Sequence, residues 1–497
     1  MPHRNIFALV WSSATNKFIG SKLAPRNQTS FALATPLKRS AGPRYNVSLI
    51  CFLLGTLGVF PLILLTPPFQ VPDEPQHFFR AYQISEGHLL GTTLDGKSGG
   101  MLPSSLIDLT VNFLGTREIH ASRPITAQPL RQTLKLIGQP LMEEQREFVD
   151  FSGAAFYSPL PYLPQSLAIA LGRAAGAGPL ALFYFARLAN ALTAIVVFTC
   201  AIRIMPVGRE PALVLGLVPM ALSLYASVSP DAAVITSALF FTAIALRSLL
   251  RGKWATRDVV MAAISATVFC SVKPAYAPLL LIGLPAVFLR RRRKHILLVH
   301  AVILAIAVGG TAIWMNAASS LLTFTRSGTN FPAQAAFIVM NPVQYTIAIA
   351  RSILSNHFYI KQFIGTLGWL TIELPFVAYM LPGLAVLLGI GAGTAVASRL
   401  SPSTILWESM LFAACCALIM TALYLSWTPV GNNMVDGVQG RYFLPMLGLA
   451  SAICSSLVTT PKISRYSVIA SWVVVTILLF EIGIADWTVA RAYRIFS

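Results

Sequence analysis

The chain has 497 residues, of which 55% are hydrophobic and only 11% charged, with a mean hydropathy of +0.68. A soluble domain carries roughly twice that charged fraction, and long apolar runs recur throughout, so the composition excludes a soluble enzyme with one anchor and implies a polytopic helical membrane protein. The formal net charge of +19 does not point to nucleic acid: Lys and Arg cluster in short links between apolar runs, the positive-inside pattern, and no nucleic-acid motif accompanies them.

Residues 1–46 are basic, polar and free of acids, with Arg4, Lys17, Lys22, Arg26, Lys38, Arg39 and Arg44. No cleavage site follows a short apolar core, so the expectation is a cytoplasmic tail and not a secretory signal, although a start codon set too far upstream would look the same. Residues 47–66 read as the first membrane helix, running outward from that basic flank. The next segment, 67–178, holds ten of the eighteen acidic residues, from Asp73 to Asp150. A loop that long and polar reads as a folded external cap.

Tyr157–Arg173 is apolar and could be counted as a span, but every later loop would then invert and the run Arg290–Lys294 (RRRRK) would lie outside. That run decides the orientation, so 157–173 is read as an interfacial or re-entrant helix with Pro159, Pro161 and Pro164 at its irregular start. The remaining spans are expected at about 180–204, 212–228, 232–250, 259–272, 278–289, 296–315, 375–392, 406–427, 442–458 and 468–484. The expected fold is thus an all-α bundle of about eleven membrane helices. Its segments are the tail, the first helix, the cap, a bundle at 179–317, a second external segment at 318–373 with Arg326, Arg351, His357 and Lys361, and C-terminal helices at 374–497. The six cysteines all fall in apolar runs without metal-ligand spacing and read as core residues.

The stretch that stands out is TPPFQVPDEPQHFFRAYQISEG, Thr66–Gly87, whose Asp73 and Glu74 are the first acids in the chain. Proline on each side stiffens the turn and limits where the carboxylates point. The topology places Asp73, Glu74, His77, Arg80, Asp231, Lys273 and Arg441 at one membrane surface, where ionisable groups face a cavity or a partner. Paired carboxylates opposite Lys and Arg suit one reaction: a carboxylate takes a proton from an acceptor hydroxyl while the cations hold a phosphate leaving group. A sugar on a polyprenyl phosphate is the donor that an outer face can be supplied with. Arg80 is read as orienting the acids.

PPFQVPDEPQHFFRAYQISEG, YSPLPYLPQ, SPDAA, VKPAYAPLL and GVQGRYFLP resemble, in that order, the signature stretches of a bacterial family of polytopic membrane proteins catalogued as domain of unknown function 2142, which itself resembles the GT-C glycosyltransferases. The resemblance runs from about Val47 onward. It implies a GT-C-like bundle with a long first external loop, an acidic catalytic base in that loop (Asp73 or Glu74), and a lipid-phosphate contact at Arg441 or Lys273. His77, Arg80, Asp231 and Tyr442 join the substrate-binding set. The implied partners are the polyprenyl-phosphate sugar, a glycan or lipid acceptor and membrane lipids, in a bacterial cytoplasmic membrane with the N-terminus inside.

Each assignment has a plainer counterpart. Asp73, Glu74 and Asp231 could cap helices; His77 could pack in the cap; Lys273 and Arg441 could snorkel to head groups. No cofactor is required, and Mg2+ or Mn2+ bridging Asp73 and Glu74 stays the minor alternative. The rival functions are a flippase for lipid-linked saccharide and a non-catalytic assembly subunit. Charges kept at the outer surface argue against the first, and a merely structural PDEP turn would be needed for the second.

Overall fold

The computed structural model describes residues 46–117, 130–285, 287, 293–323, 326–355, 358–393, 400–458 and 467–495. The basic tail, Arg290–Arg292, His357 and the link at 461–465 lie outside them.

Among the described residues six helices are long and apolar enough to cross a membrane: Val47–Leu65, Pro179–Ile204, Pro230–Arg251, Lys294–Ala317, Pro402–Ser426 and Val468–Ala492. The chain is therefore a multi-pass, mostly helical membrane protein. A further pair, Phe331–Met340 and Pro342–Leu354, is bent by 106° and makes a seventh if counted as one broken span. The bend falls before Pro342, which lacks an N–H and forces Asn341 out of helical geometry (φ −131°, ψ 57°).

Eleven spans were expected, and five of those segments fall short of that length. Proline accounts for most of the difference. Residues 212–228 are divided between Arg209–Gly216 and Pro219–Tyr225. Residues 278–289 and 442–458 begin in 3-10 turns, Pro274–Leu281 and Gly440–Met446, each containing an internal proline. Thr256–Val272 and Phe376–Ala392 are short, the second with Pro382 inside it.

The acidic segment carries more than helix. Thr92–Leu94, Lys97–Pro103 and Arg146–Asp150 form an antiparallel sheet in that order, with Gly99 opposite Asp150 and Pro103 opposite Arg146. Gly99 is obligatory there, since a Cβ would lie 1.7 Å from the Val149 carbonyl oxygen. The sheet and the helices Glu74–Ser85 and Ser104–Leu114 share an apolar core of Phe69, Phe78, Phe79, Leu106, Phe113 and Phe151. That core continues into Phe183 and Ala186 of helix Pro179–Ile204, so the acidic segment is packed onto the bundle.

Within 157–173 the regular part is Leu163–Ala174, only twelve residues. At about 1.5 Å per residue this is far short of the roughly 30 Å of a bilayer core. Leu163, Leu167 and Leu171 are exposed along one face while Gln165, Ser166 and Ile169 are buried on the other. An apolar outward stripe on so short a helix is the pattern of an interfacial segment.

Candidate active site

The PDEP turn is built around a left-handed residue. Asp73 has φ 64°, ψ 0°, an arrangement that Asp tolerates better than most side chains, and it ends the turn directly before helix Glu74–Ser85. Although Asp73 stands at the N-cap, its side chain makes no capping hydrogen bond. Its carboxylate instead accepts from Arg441 Nη2 at 2.9 Å and is 47% exposed toward a cavity it helps to line.

Glu74 takes the opposite direction and is fully buried. Arg187 grips it bidentately, Nε to Oε1 at 2.9 Å and Nη2 to Oε2 at 2.8 Å. The backbone N–H groups of Phe69 (3.1 Å) and Val228 (2.9 Å) donate to the same carboxylate. Arg187 spends its remaining donors on the carbonyls of Ile63, Thr66 and Pro67, where the first helix ends. Glu74 is thus the anchor that joins the acidic segment to the bundle, and it takes no part in lining the cavity beside Asp73. A metal bridge between Asp73 and Glu74 is likewise not formed, since the two carboxylates are turned to different arginines. Among the described residues no three His, Cys, Asp or Glu side chains converge as a metal site.

Arg80 does not orient the acids either. It is buried in the acidic segment, donating to Gln83 Oε1 (2.5 Å) and to the carbonyls of Leu89 (2.6 Å) and Tyr157 (3.0 Å). Burial pushes its pKa down to about 10, which leaves it a cation at neutral pH.

The other candidates meet. Arg441 is shared between Asp73 and Asp231, whose Oδ2 lies 3.6 Å from Nη1. Lys273 Nζ donates to Asp231 Oδ1 at 2.6 Å and stands 4.5 Å above the Tyr442 ring. Ser229 caps helix Pro230–Arg251, its Oγ accepting from the Asp231 N–H, so the Asp231 carboxylate is left for the two cations. Tyr276 Oη donates to the Tyr442 carbonyl at 2.8 Å and fixes the Arg441–Tyr442 backbone. His77, one turn beyond Asp73, is held by Tyr162 Oη at 2.8 Å and stacks on Tyr157 with the rings 5.9 Å apart. Burial pushes the imidazole down to about 4 against the opposing pull of Asp73 and Asp231, so it is neutral at pH 7.

Two open spaces flank this cluster. One, about 370 Å3, is polar on one side and is lined by Asp73, Gln76, His77, Ser152, Trp427 and Gln439, among others. The second, about 500 Å3, is almost wholly apolar, formed by Val272, Pro274, Ala275, Leu418, Ile419 and Leu425, with Lys273 on its wall. Phe156, Tyr157, Leu423 and Tyr442 line both, so the two spaces share a wall beside Lys273.

Sequence reasoning missed Arg187, Tyr157, Tyr162, Gln76 and Gln439. Arg187 alone carried a signal, an arginine well inside an apolar helix that must find a buried partner. The tyrosines and glutamines lie within distinctive blocks, but nothing in their spacing says that they turn inward.

A family profile of predicted membrane proteins, domain of unknown function 2142 (DUF2142), matches residues 53–450. The chain belongs to that family. The match takes in PDEP, SPD, the Lys273 turn and GVQGRY, so every residue of the cluster lies within the family's extent. No curated protein and no solved structure matches the DUF2142 chain.

Proposed function

We propose that this DUF2142 protein is a membrane glycosyltransferase of GT-C type, which transfers a sugar from a polyprenyl phosphate to a glycan or lipid acceptor of the cell envelope. The site of action is the outer face of a bacterial cytoplasmic membrane. One observation carries the reading: an apolar groove with Lys273 on its wall and a polar cavity with Asp73 on its wall share Tyr442, and Arg441 is bonded to Asp73. A lipid-linked sugar has the same three parts in the same order, an apolar chain, an anion and a polyol.

Asp73 is the base and Glu74 is not. The Asp73 carboxylate takes the proton of an acceptor hydroxyl, whose oxygen attacks the anomeric carbon. The bond from that carbon to the phosphate oxygen breaks, and polyprenyl phosphate leaves with the electron pair toward Lys273 and Arg441. One displacement inverts the anomeric centre. Asp231 positions both cations, and neutral His77 acts through hydrogen bonding.

The test is transfer by purified protein in lipid, using radiolabelled polyprenyl-phosphate sugars with wild type and Asp73→Asn. Transfer or slow donor hydrolysis that the variant loses at unchanged thermal stability supports the reading. Failure of every donor to bind or turn over sinks it.

Carriage of a lipid-linked saccharide is the second reading, and one observation favours it. Glu408 and Glu481, in helices Pro402–Ser426 and Val468–Ala492, are buried without a hydrogen-bond partner, so the ionisable side chains are not confined to one surface as the sequence suggested. Transbilayer movement of labelled donor in sealed vesicles, without transfer, would select it.

A further inference from the structure

Two residues that line the polar cavity carry an amide oxygen without a partner. Gln76 is 7% exposed and its Oε1 is buried, unbonded and directed at the space beside Gly153, where a Cβ would come within 2.3 Å of it. Gln439, two residues before Arg441, also belongs to the lining, and its Oε1 is buried and unbonded as well. A buried carbonyl oxygen without a donor costs free energy, and such orphans mark where a ligand donor is missing. No group of the lining donates to either oxygen.

The charge distribution narrows what can enter. Neither lysine nor arginine lines this cavity; Lys273 lies on the groove side, and Arg441 is occupied by Asp73 and Asp231. The titratable residues of the lining are Asp73, His77, Tyr157 and Tyr442, of which only Asp73 is acidic. With no cation in the lining, a second anion would meet Asp73 without a counter-ion of its own.

We propose that Gln76 and Gln439 are the sugar-reading residues of this site, accepting hydrogen bonds from the hydroxyls of a neutral sugar and excluding a sugar acid. The proposal rests on the glycosyltransferase reading and adds the class of sugar and the residues that select it. Gly153 belongs to the device, because any side chain there would push the Gln76 amide out of place.

The experiment measures affinity and not turnover, with the full-length protein in lipid nanodiscs. The probes are a polyprenyl phosphate alone, the same lipid bearing a glucosyl group, and the same lipid bearing a glucuronyl group. Wild type is expected to bind the glucosyl lipid roughly tenfold more tightly than the bare phosphate, and the glucuronyl lipid no more tightly than the bare phosphate. Gln76→Leu and Gln439→Leu should each remove roughly three- to tenfold of the glucosyl preference while keeping the affinity for polyprenyl phosphate alone, which also reports that they fold. Gly153→Val should act like Gln76→Leu; if one variant fails to fold, the other two carry the test. Equal affinity for all three probes, a preference for the glucuronyl lipid, or leucine variants that keep the glucosyl preference would overturn the sugar proposal and leave the lipid-phosphate reading standing. Failure of even the bare phosphate to bind would overturn both.

Discussion

Asp73 and Arg441 are 368 positions apart in the chain and meet through a 2.9 Å charge-assisted hydrogen bond at the edge of the polar cavity. Arg441 is nearly buried and Asp73 half-exposed, so the pair places a carboxylate in the open while its counter-charge stays fixed within the protein. Two of the most distinctive sequence blocks, PDEP and GVQGRYFLP, are thereby brought to one point.

The adjacent acids should part company on mutation. Asp73→Asn keeps the shape and tolerates the left-handed backbone, so glycosyl transfer should fall about 10²-fold or more with little change in Tm. Glu74→Gln should instead lower Tm and yield, because Arg187 is left with a buried charge it cannot pair. Activity assays alongside thermal unfolding distinguish the two; equal effects of both variants would contradict the division of roles.

A double-mutant cycle on the anchor gives a second check. Breaking the fully buried Glu74–Arg187 pair from either side, with Glu74→Leu or Arg187→Met, should cost about 3–5 kcal/mol. The double variant should recover much of that, since a buried pair replaced as a unit leaves no orphaned charge. Additive losses in thermal unfolding would show that each residue acts through other contacts.

Stability should depend on pH through His77. Its pKa is pushed down to about 4 in the folded protein by burial, against about 6.5 when unfolded. Between those values the unfolded chain binds more protons, so stability rises with pH from about 4 to about 6.5 and is level outside that window. The contribution is on the order of 3 kcal/mol. His77→Gln, which can still bond Tyr162, should flatten the profile of Tm against pH across that range; an unchanged profile would mean that other groups set it.

The cations should be distinguishable from the base by kinetics. Lys273→Met is expected to weaken donor binding about tenfold, and Arg441→Lys, which keeps the charge but loses the fork, to lower turnover further than binding. If Lys273→Met leaves the donor dissociation constant unchanged, the phosphate sits elsewhere.

Much of this site was legible in the sequence, for reasons that particular residues make clear. Asp73, Lys273 and Arg441 sit in Pro-, Gly- and charge-marked turns at the ends of apolar runs, and such turns are what a chain can afford to expose. The direction of a side chain was not legible. A left-handed residue at 73 sends Asp73 and Glu74 to different partners, and two flanking prolines do not announce it. Arg80 fails for a related reason: six residues at about 100° each carry it roughly 240° around the helix from Glu74. The sheet partners Lys97–Pro103 and Arg146–Asp150 lie far apart in the chain and show little alternation, so their pairing could not be anticipated.

The anchor also constrains how the molecule can admit a bulky acceptor. Because Glu74 is bonded at once to Arg187, Phe69 and Val228, the residue next to Asp73 is held by three separate stretches of chain. Any opening that widens the cavity must then hinge about that point and not through it. Leu322, Ser426 and Trp427 line the same cavity from other stretches of chain, so on the proposed reading a widening on their side would leave the Asp73 carboxylate in place.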